Sequence, residues 1–573
     1  METILVSQLH TIDQSRPIIA SSMPRIHRSV IPVFLLFFVF TTINSCTPSR
    51  RHYSVAGGIE SITRDDLQRH LSYLASDELQ GRDTGKPGLE RAASYIADEL
   101  SRMRVKPAGN DNSYFQSFSL TSRQLTDRSQ ITVIGDDGRE QIFAFRRDFF
   151  PLPNGLTKDL WMEGNPVFAG FGIRALELGY DDYAGIEVKD RIVIIMTSEP
   201  QAEDDSSPFD GKSLSVYGMW KSKIQNAKEL NVKALIIVDY NIADAAAFAE
   251  QYGKFAKYIA EPKMTLQDTD IQENELPLVL IAGATMGEAM LAGSSLSLAQ
   301  ARAQIDSTLQ PVSFAITQKQ IRIKVAMEMK KVSSSNVIGV VTGSDKNLRD
   351  EVVVYSAHYD HVGMDGDSLI YNGADDDASG SSALLELADA YAQASTKPRR
   401  SVMFIWFTAE EKGLLGSLYY TQQPTIPLNQ TVANINIDMI GRVRAPDDHN
   451  PKNAGLAGER TVYVVGGHQS AELMAINEEA SRDVGLVLDY TFNDINHPKK
   501  VYYRSDHYNF ARRGVPVLFF TTGEHADYHE PTDTADKIDF AKLQKTTSLA
   551  FITGWRVADR KKRIEVVKLA NTQ

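Results

Sequence analysis

The sequence predicts an α/β layered fold with a mainly parallel central sheet, interrupted by a β-rich insertion. Three observations predict it. From about residue 334 onward, short apolar strand-type runs alternate with helical periodicity, the pattern of a sheet covered by helices. Between about 155 and 310 the pattern changes to short β-type runs with one helix among them. Ahead of that block stand helices at 63–103, too few to fold alone, so the block reads as an insertion into one α/β domain.

Residues 63–79 (TRDDLQRHLSYLASDEL) carry a Thr cap followed by apolar residues at helical spacing. The polar, Gly-rich turn GRDTGKPG leads to a second helix at about 88–103. In the middle block the strand runs are NPVFAGFG, RIVIIMTS, KALIIVDY and PLVLIAG, with a helix near KIQNAKEL. The later series is VIGVVTG, EVVVYSA, a helix at about 379–394, VMFIWF, a helix at about 413–421, then ANINID. TVYVVGG, a helix at about 470–482, VPVLFF and a long helix after Thr534 complete it.

The composition is that of an ordinary globular protein: 573 residues, 42% hydrophobic and 23% charged, which argues against disorder and against a polytopic membrane protein. The length suggests roughly two to four domains. A net charge of −12 argues against a nucleic-acid partner, because a phosphate-binding surface needs clustered Lys and Arg. One cysteine closes no intramolecular disulfide and builds no Cys-rich zinc site, so any metal here is held by His, Asp and Glu.

Residues 30–43 (VIPVFLLFFVFTTI) carry no charge, but they are too few to span a membrane and better suit a signal-peptide core. Arg25, His27 and Arg28 form its positive flank, and Met23 offers an internal start. Ile43-Asn44-Ser45-Cys46 follows directly, and the arrangement resembles a bacterial lipoprotein signal. The expectation is a signal at 1–45 and a lipidated Cys46 opening a linker at 46–62. The protein would then be exported to the cell envelope, facing the periplasm or the exterior, with the lipid its one membrane contact. An ordinary secretory signal is the alternative.

Five segments place acids or histidines where strands end, the edge at which functional groups gather in open α/β sheets. They are His358-Tyr359-Asp360-His361, Asp375-Asp376-Asp377, Glu410-Glu411, Asp438, and Tyr528-His529-Glu530. Singly each has a plainer explanation. The Asp triplet suits a helix cap, adjacent glutamates are usually a solvated pair, and a strand-end histidine is often structural. Their coincidence in one domain points instead to a His/carboxylate metal site suited to zinc. The spacing from Asp375 to Glu386 loosely fits a calcium-binding EF-hand loop, but DGDSLIYNGA supplies no incoming helix. Neither GxSxG, HExxH nor a phosphate-binding loop occurs in the chain.

The strings AHYDHVG, NGADDDASG, FTAEEKGLLGS, NIDMIG and YHEPTDT stand in the order of the co-catalytic di-zinc aminopeptidases, relatives of glutamate carboxypeptidases and glutaminyl cyclases, and the sequence resembles that family. The resemblance implies a three-layer zinc-exopeptidase fold, with peptidase parts at 63–154 and 311–573 and a protease-associated insert at 155–310. It implies two zinc ions per chain: His358 and Asp438 on one, Glu411 and His529 on the other, Asp376 bridging. Glu410 would be the general base and Asp360 would orient His358, while Ser505-Asp506-His507 would support without ligating.

The expected activity is removal of N-terminal residues from peptides by metal-activated water. The alternatives are a carboxypeptidase or dipeptidase of the same family, an idle peptide-binding lipoprotein, and, less favoured, a glutaminyl cyclase. An arginine gripping a C-terminal carboxylate would favour the carboxypeptidase, and Arg504 and Arg442 are the candidates.

Overall fold

A computed structural model of the chain describes residues 58–152, 156, 158–267 and 276–566. The expected signal at 1–45 and Cys46 lie outside the described residues. The fold divides into two compact units. One takes in Arg123–Pro262 and Asp270–Met329; the other takes in Arg50–Ser122, Lys263–Thr269 and Lys330–Gln573.

The second unit is built on a ten-stranded mixed sheet. Its strands are β1 (Phe115–Leu125), β2 (Lys263–Leu266), β3 (Met327–Val341), β4 (Val352–His358), β5 (Ser401–Phe407), β6 (Thr431–Ile437), β7 (Thr461–Gly466), β8 (Val487–Asp489) and β9 (Val517–Thr521). They lie in the order β2-β1-β3-β5-β4-β6-β9-β7-β8, and Lys106–Pro107 also pairs with β3. The central strands β5, β4, β6 and β9 run parallel, while β3 and β7 pair antiparallel with β5 and β9. Every residue of β4, β5 and β6 is buried, as a strand covered on both faces requires.

The helices follow the expected pattern: α1 (Arg64–Leu74), α2 (Pro87–Arg102), α3 (Ala378–Gln393), α4 (Leu415–Gln422), α5 (Ala471–Val484) and α6 (Phe540–Ala558). α1, α3 and α6 pack together against one face of the sheet. Thr63 caps α1 by accepting the Asp66 N–H, and the helix stops at Leu74, short of the expected 79. The chain then turns through a 3-10 stretch in which Gly81 has φ +67°, and a Cβ there would meet the Gly363 carbonyl oxygen at 2.2 Å. The next residue, Arg82, has its side chain buried.

The first unit carries a six-stranded sheet whose strands Pro166–Ala169, Ile192–Met196, Ala234–Asp239 and Leu278–Gly283 run parallel, beside a four-stranded antiparallel sheet. It holds more helix than the β-rich insertion expected from sequence. Trp220–Glu229 is joined by Ala245–Ala260, Ala284–Leu291 and Leu298–Thr308. The reason is topological: parallel neighbours need crossover connections, and helices supply them. The unit also begins before 155 and ends after 310, because Gln130–Gly135, Glu140–Ala144 and Lys319–Val325 pair in its smaller sheet.

Candidate metal centre

The parallel strands β4, β5 and β6 all deliver acids or histidines at their carboxyl ends. His358 is the last residue of β4, Glu410-Glu411 follow β5, and Asp438 follows β6. The Asp375–Asp377 run opens α3, and His529 comes from the loop after β9. The fold brings all five segments together around one cavity, open to solvent, lined by His358, Asp376, Glu410, Glu411, Asp438 and Tyr528 among others.

The two oxygens of Asp376 point to different histidines. Oδ1 lies 3.2 Å from His358 Nε2, and Oδ2 lies 3.1 Å from His529 Nε2. His358 Nε2 is also 3.6 Å from Asp438 Oδ1, and His529 Nε2 is 3.0 Å from Glu411 Oε2. Glu410 stands apart from both groups, its Oε2 being 4.0 Å from His358 Nε2.

The acidic triplet divides its work. Asp377 fulfils the plainer expectation of a cap: it accepts the backbone N–H of Gly380 (2.8 Å), Met439 (3.1 Å) and His358 (3.2 Å). Although Asp377 lies within ligand distance of His358 and Asp438, these three bonds engage both of its oxygens and tie α3 to the ends of β4 and β6. Asp375 accepts the Gly441 N–H at 2.6 Å and faces His525 Nε2 at 3.2 Å. Only Asp376 is left facing the cavity.

Asp360 acts differently from the expectation that its carboxylate orients His358. Its two oxygens accept the backbone N–H groups of Glu410 (3.0 Å) and Glu411 (3.3 Å). The His358 ring meets the Asp360 main chain instead, with Nδ1 3.1 Å from the carbonyl oxygen and 3.8 Å from Oδ1. Asp438 is held by Ser505, whose hydroxyl donates to Oδ2 at 2.6 Å. Asp506 and His507 are both fully buried, and His507 lies flat on Phe519 with ring centroids 4.7 Å apart.

Several residues that matter here carried no role in the sequence reading. His361 donor-acceptor contact with Glu411 Oε1 is 2.9 Å, and the only sequence signal was a second histidine inside HYDH. Asp533 accepts the N–H groups of Asp375 (2.9 Å) and Asp376 (3.2 Å) from 157 or more residues downstream, which no local pattern announces. Arg82 is wholly buried and donates to the carbonyls of Tyr359 (2.9 Å), Asn372 (2.6 Å), Gly373 (2.9 Å) and Leu74. It clamps both loops that carry the cavity acids. Tyr528 lines the cavity itself.

The electrostatics are those of an acid cluster that demands cations. Burial pulls the His358 imidazole down, but Glu410, Asp438 and Asp376 outweigh it and hold it well above its ordinary value. His529 follows the same balance: burial opposes, Glu411 and Asp376 prevail, and it sits at about 10. Burial also works against ionisation of Asp376 and Glu411, yet the histidines hold Asp376 well below the usual carboxylate range and Glu411 at about 2. Burial pushes Glu410 well above its ordinary value, with Glu411 and Asp438 adding to the push.

The donor set fits bound metal. Asp376 Oδ2 and His529 Nε2 are buried and 3.1 Å apart, yet neither makes a hydrogen bond. Ligand atoms of Asp376, Glu411 and His529 all lie within 4.8 Å of one another, the convergence a cation requires. Imidazole nitrogens and carboxylate oxygens, with no thiolate, suit zinc among the common divalent metals.

Residues 336–552 match the sequence profile of peptidase family M28. That stretch of the chain is an M28 peptidase domain. Aminopeptidase YwaD of Bacillus subtilis (strain 168) is 27% identical over 262 residues, 44% of this chain and 51% of that protein. Leucine aminopeptidase 2 of Trichophyton equinum is 32% identical over 190 residues, 33% of each chain. The chain spans from about a third to two thirds of the length of these and similar curated relatives. Among solved structures, the aminopeptidase from Aneurinibacillus sp. strain AM-1 aligns at a TM-score of 0.49 with 18% identity, over 89% of this chain and 96% of that one. The M28 stretch contains β4, β5, β6 and β9, and therefore every cavity acid and histidine named above.

Proposed function

We propose that the protein is a zinc-dependent aminopeptidase carrying two zinc ions per chain. The observation that carries this reading is Asp376, whose two oxygens face His358 and His529 separately inside an M28 domain. The relatives' description as aminopeptidases supports the choice of peptide end.

In this reading His358 and Asp438 would hold one zinc, Glu411 and His529 the other, and Asp376 would serve both. Bound there, zinc supplies Lewis acidity that polarises a carbonyl and lowers the pKa of water. Glu410 takes the proton of the attacking water and returns it to the departing amine nitrogen. Its freedom from both ligand groups suits that task, as does burial that raises its proton affinity. Asp360 sets Glu410 by bonding its backbone N–H. Tyr528 is kept protonated by burial and by Asp376 and Glu411, so it stands at the cavity wall as a neutral hydrogen-bond donor.

The two arginines that would favour a carboxypeptidase are already engaged. Arg442 pairs with Asp527 (2.6 Å) and Asp533 (3.3 Å), and Arg504 pairs with Glu524 (2.5 Å). Neither offers an uncommitted guanidinium to a C-terminal carboxylate. The apolar run at 30–43 and Cys46 support an exported, lipid-anchored enzyme of the cell envelope.

The test is release of the N-terminal residue from free and N-acetylated peptides, before and after chelation, with zinc added back. Loss on chelation, recovery with zinc and inactivity on the blocked peptide are expected. Activity that survives chelation sinks the metal mechanism, and equal rates on both peptides sink the aminopeptidase reading.

A further inference from the structure

We propose that His361 is a positioning residue that fixes Glu411 for metal binding, by donating its Nδ1–H to Glu411 Oε1. The proposal rests on the two-zinc reading above. His361 is wholly buried, its Nδ1 is 2.9 Å from Glu411 Oε1, and its ring meets the His529 ring edge-on at 5.6 Å.

His361 lies close enough to Asp376, Glu411 and His529 to be counted as a fourth ligand. Its proton decides against that. A histidine that ligates through Nδ1 carries its proton on Nε2 and gives it to an acceptor. His361 Nε2 is buried without a hydrogen-bond partner, so a proton there would be an orphaned donor. On Nδ1 the same proton meets a carboxylate. The Nδ1 lone pair is thereby consumed, and the ring donates rather than ligates. His358 carries its proton on Nδ1 in the same way, donating to the Asp360 carbonyl at 3.1 Å, but its free Nε2 faces Asp376 and Asp438, whereas the Nε2 of His361 faces no partner.

Holding Oε1 has a consequence for the other oxygen. A glutamate carboxylate rotates about its last bond and can chelate through both oxygens or through one. With Oε1 bonded to His361, Oε2 is the atom left for the metal, and it is the one 3.0 Å from His529 Nε2. The ring position is itself enforced. Gly373 (φ +59°) packs against it so closely that a Cβ would fall 2.5 Å from His361 Cδ2. The His361 N–H also donates to the Arg82 carbonyl at 3.1 Å.

Three variants of the full protein test this by zinc content and by zinc affinity in chelator competition. An Asn amide nitrogen takes the place of imidazole Nδ1, whereas a Gln amide nitrogen takes the place of Nε2. His361→Ala and His361→Gln are each expected to weaken one of two zinc sites by about 10–100-fold. His361→Asn is expected to stay within a few fold of wild type, while thermal stability differs little between the Asn and Gln variants. Wild-type affinity in both Ala and Gln variants overturns the proposal. An Asn variant as weak as Ala also overturns it, in favour of ligation. A wild-type protein that binds no zinc overturns the two-zinc reading, and this proposal with it.

Discussion

The carboxylate of Asp360 accepts the backbone N–H groups of the adjacent residues Glu410 and Glu411, at 3.0 and 3.3 Å. One acid at the end of β4 thus fixes the turn after β5 that carries two others. Asp360→Asn keeps an acceptor for one N–H but turns an NH₂ group toward the second. The expected result is a fall in kcat of about 10-fold or more with zinc content retained, since partners of this kind are typically worth about 10–100-fold. Steady-state kinetics together with metal analysis check it, and unchanged kcat would remove Asp360 from the machinery.

Glu410→Gln separates chemistry from binding. The amide cannot take a proton, so kcat is expected to fall by about 10²–10⁴ while zinc content holds. A variant near the wild-type rate means that another group is the base. Loss of a zinc ion would make Glu410 a ligand.

Asp377→Ala tests whether the third aspartate of the triplet ties elements together or binds metal. Its removal leaves the N–H groups of Gly380, Met439 and His358 without their acceptor, all in a buried setting. Each orphaned donor costs about 1–3 kcal/mol, so a large drop in unfolding midpoint is expected, and Asp377→Asn should recover part of it. If the Asn variant keeps its stability and loses zinc, the assignment is reversed.

His507 gives the protein an acid sensitivity of its own. Burial against Phe519 holds its imidazole down at about 3, below its ordinary 6.5. Above pH 6.5 both folded and unfolded chains carry it neutral, and it contributes no pH dependence. As the pH falls below 6.5 the unfolded chain gains a proton that the folded chain refuses until about pH 3, so stability declines across that window. His507→Phe should therefore lose less stability than wild type between pH 7 and 4.5, measured by thermal unfolding at matched zinc. Parallel curves for the two proteins would mean that His507 does not contribute.

Most of the M28 domain was legible because its strands and helices are long and strongly periodic. EVVVYSA, VMFIWF and ANINI read as buried strands, and they are β4, β5 and β6. The helices of the first unit were harder to read. AAAFAEQYGKFAKYIA has Phe248, Tyr252, Ala256 and Ile259 on its buried face, but alanine and tyrosine mark that face weakly against the clear β runs around it. The aspartate triplet shows the limit at the site. Its sequence permits a cap, a ligand or a solvated run, and one residue caps, one reaches His525 and one faces the cavity.

The sequence by itself determined which residue types meet at the strand ends, and its single cysteine leaves any metal there to histidine and carboxylate. It also set the order of strands and helices in the M28 domain, because hydrophobic periodicity is a local property of the chain. Only the tertiary structure decided which oxygen faces which nitrogen. Asp533 reaches back to the Asp375 and Asp376 backbone, Arg82 clamps two distant loops, and His361 meets Glu411 across 50 residues. Those contacts are directional and long-range, set by how the sheet places its strand ends in space, and no periodicity in the chain encodes them.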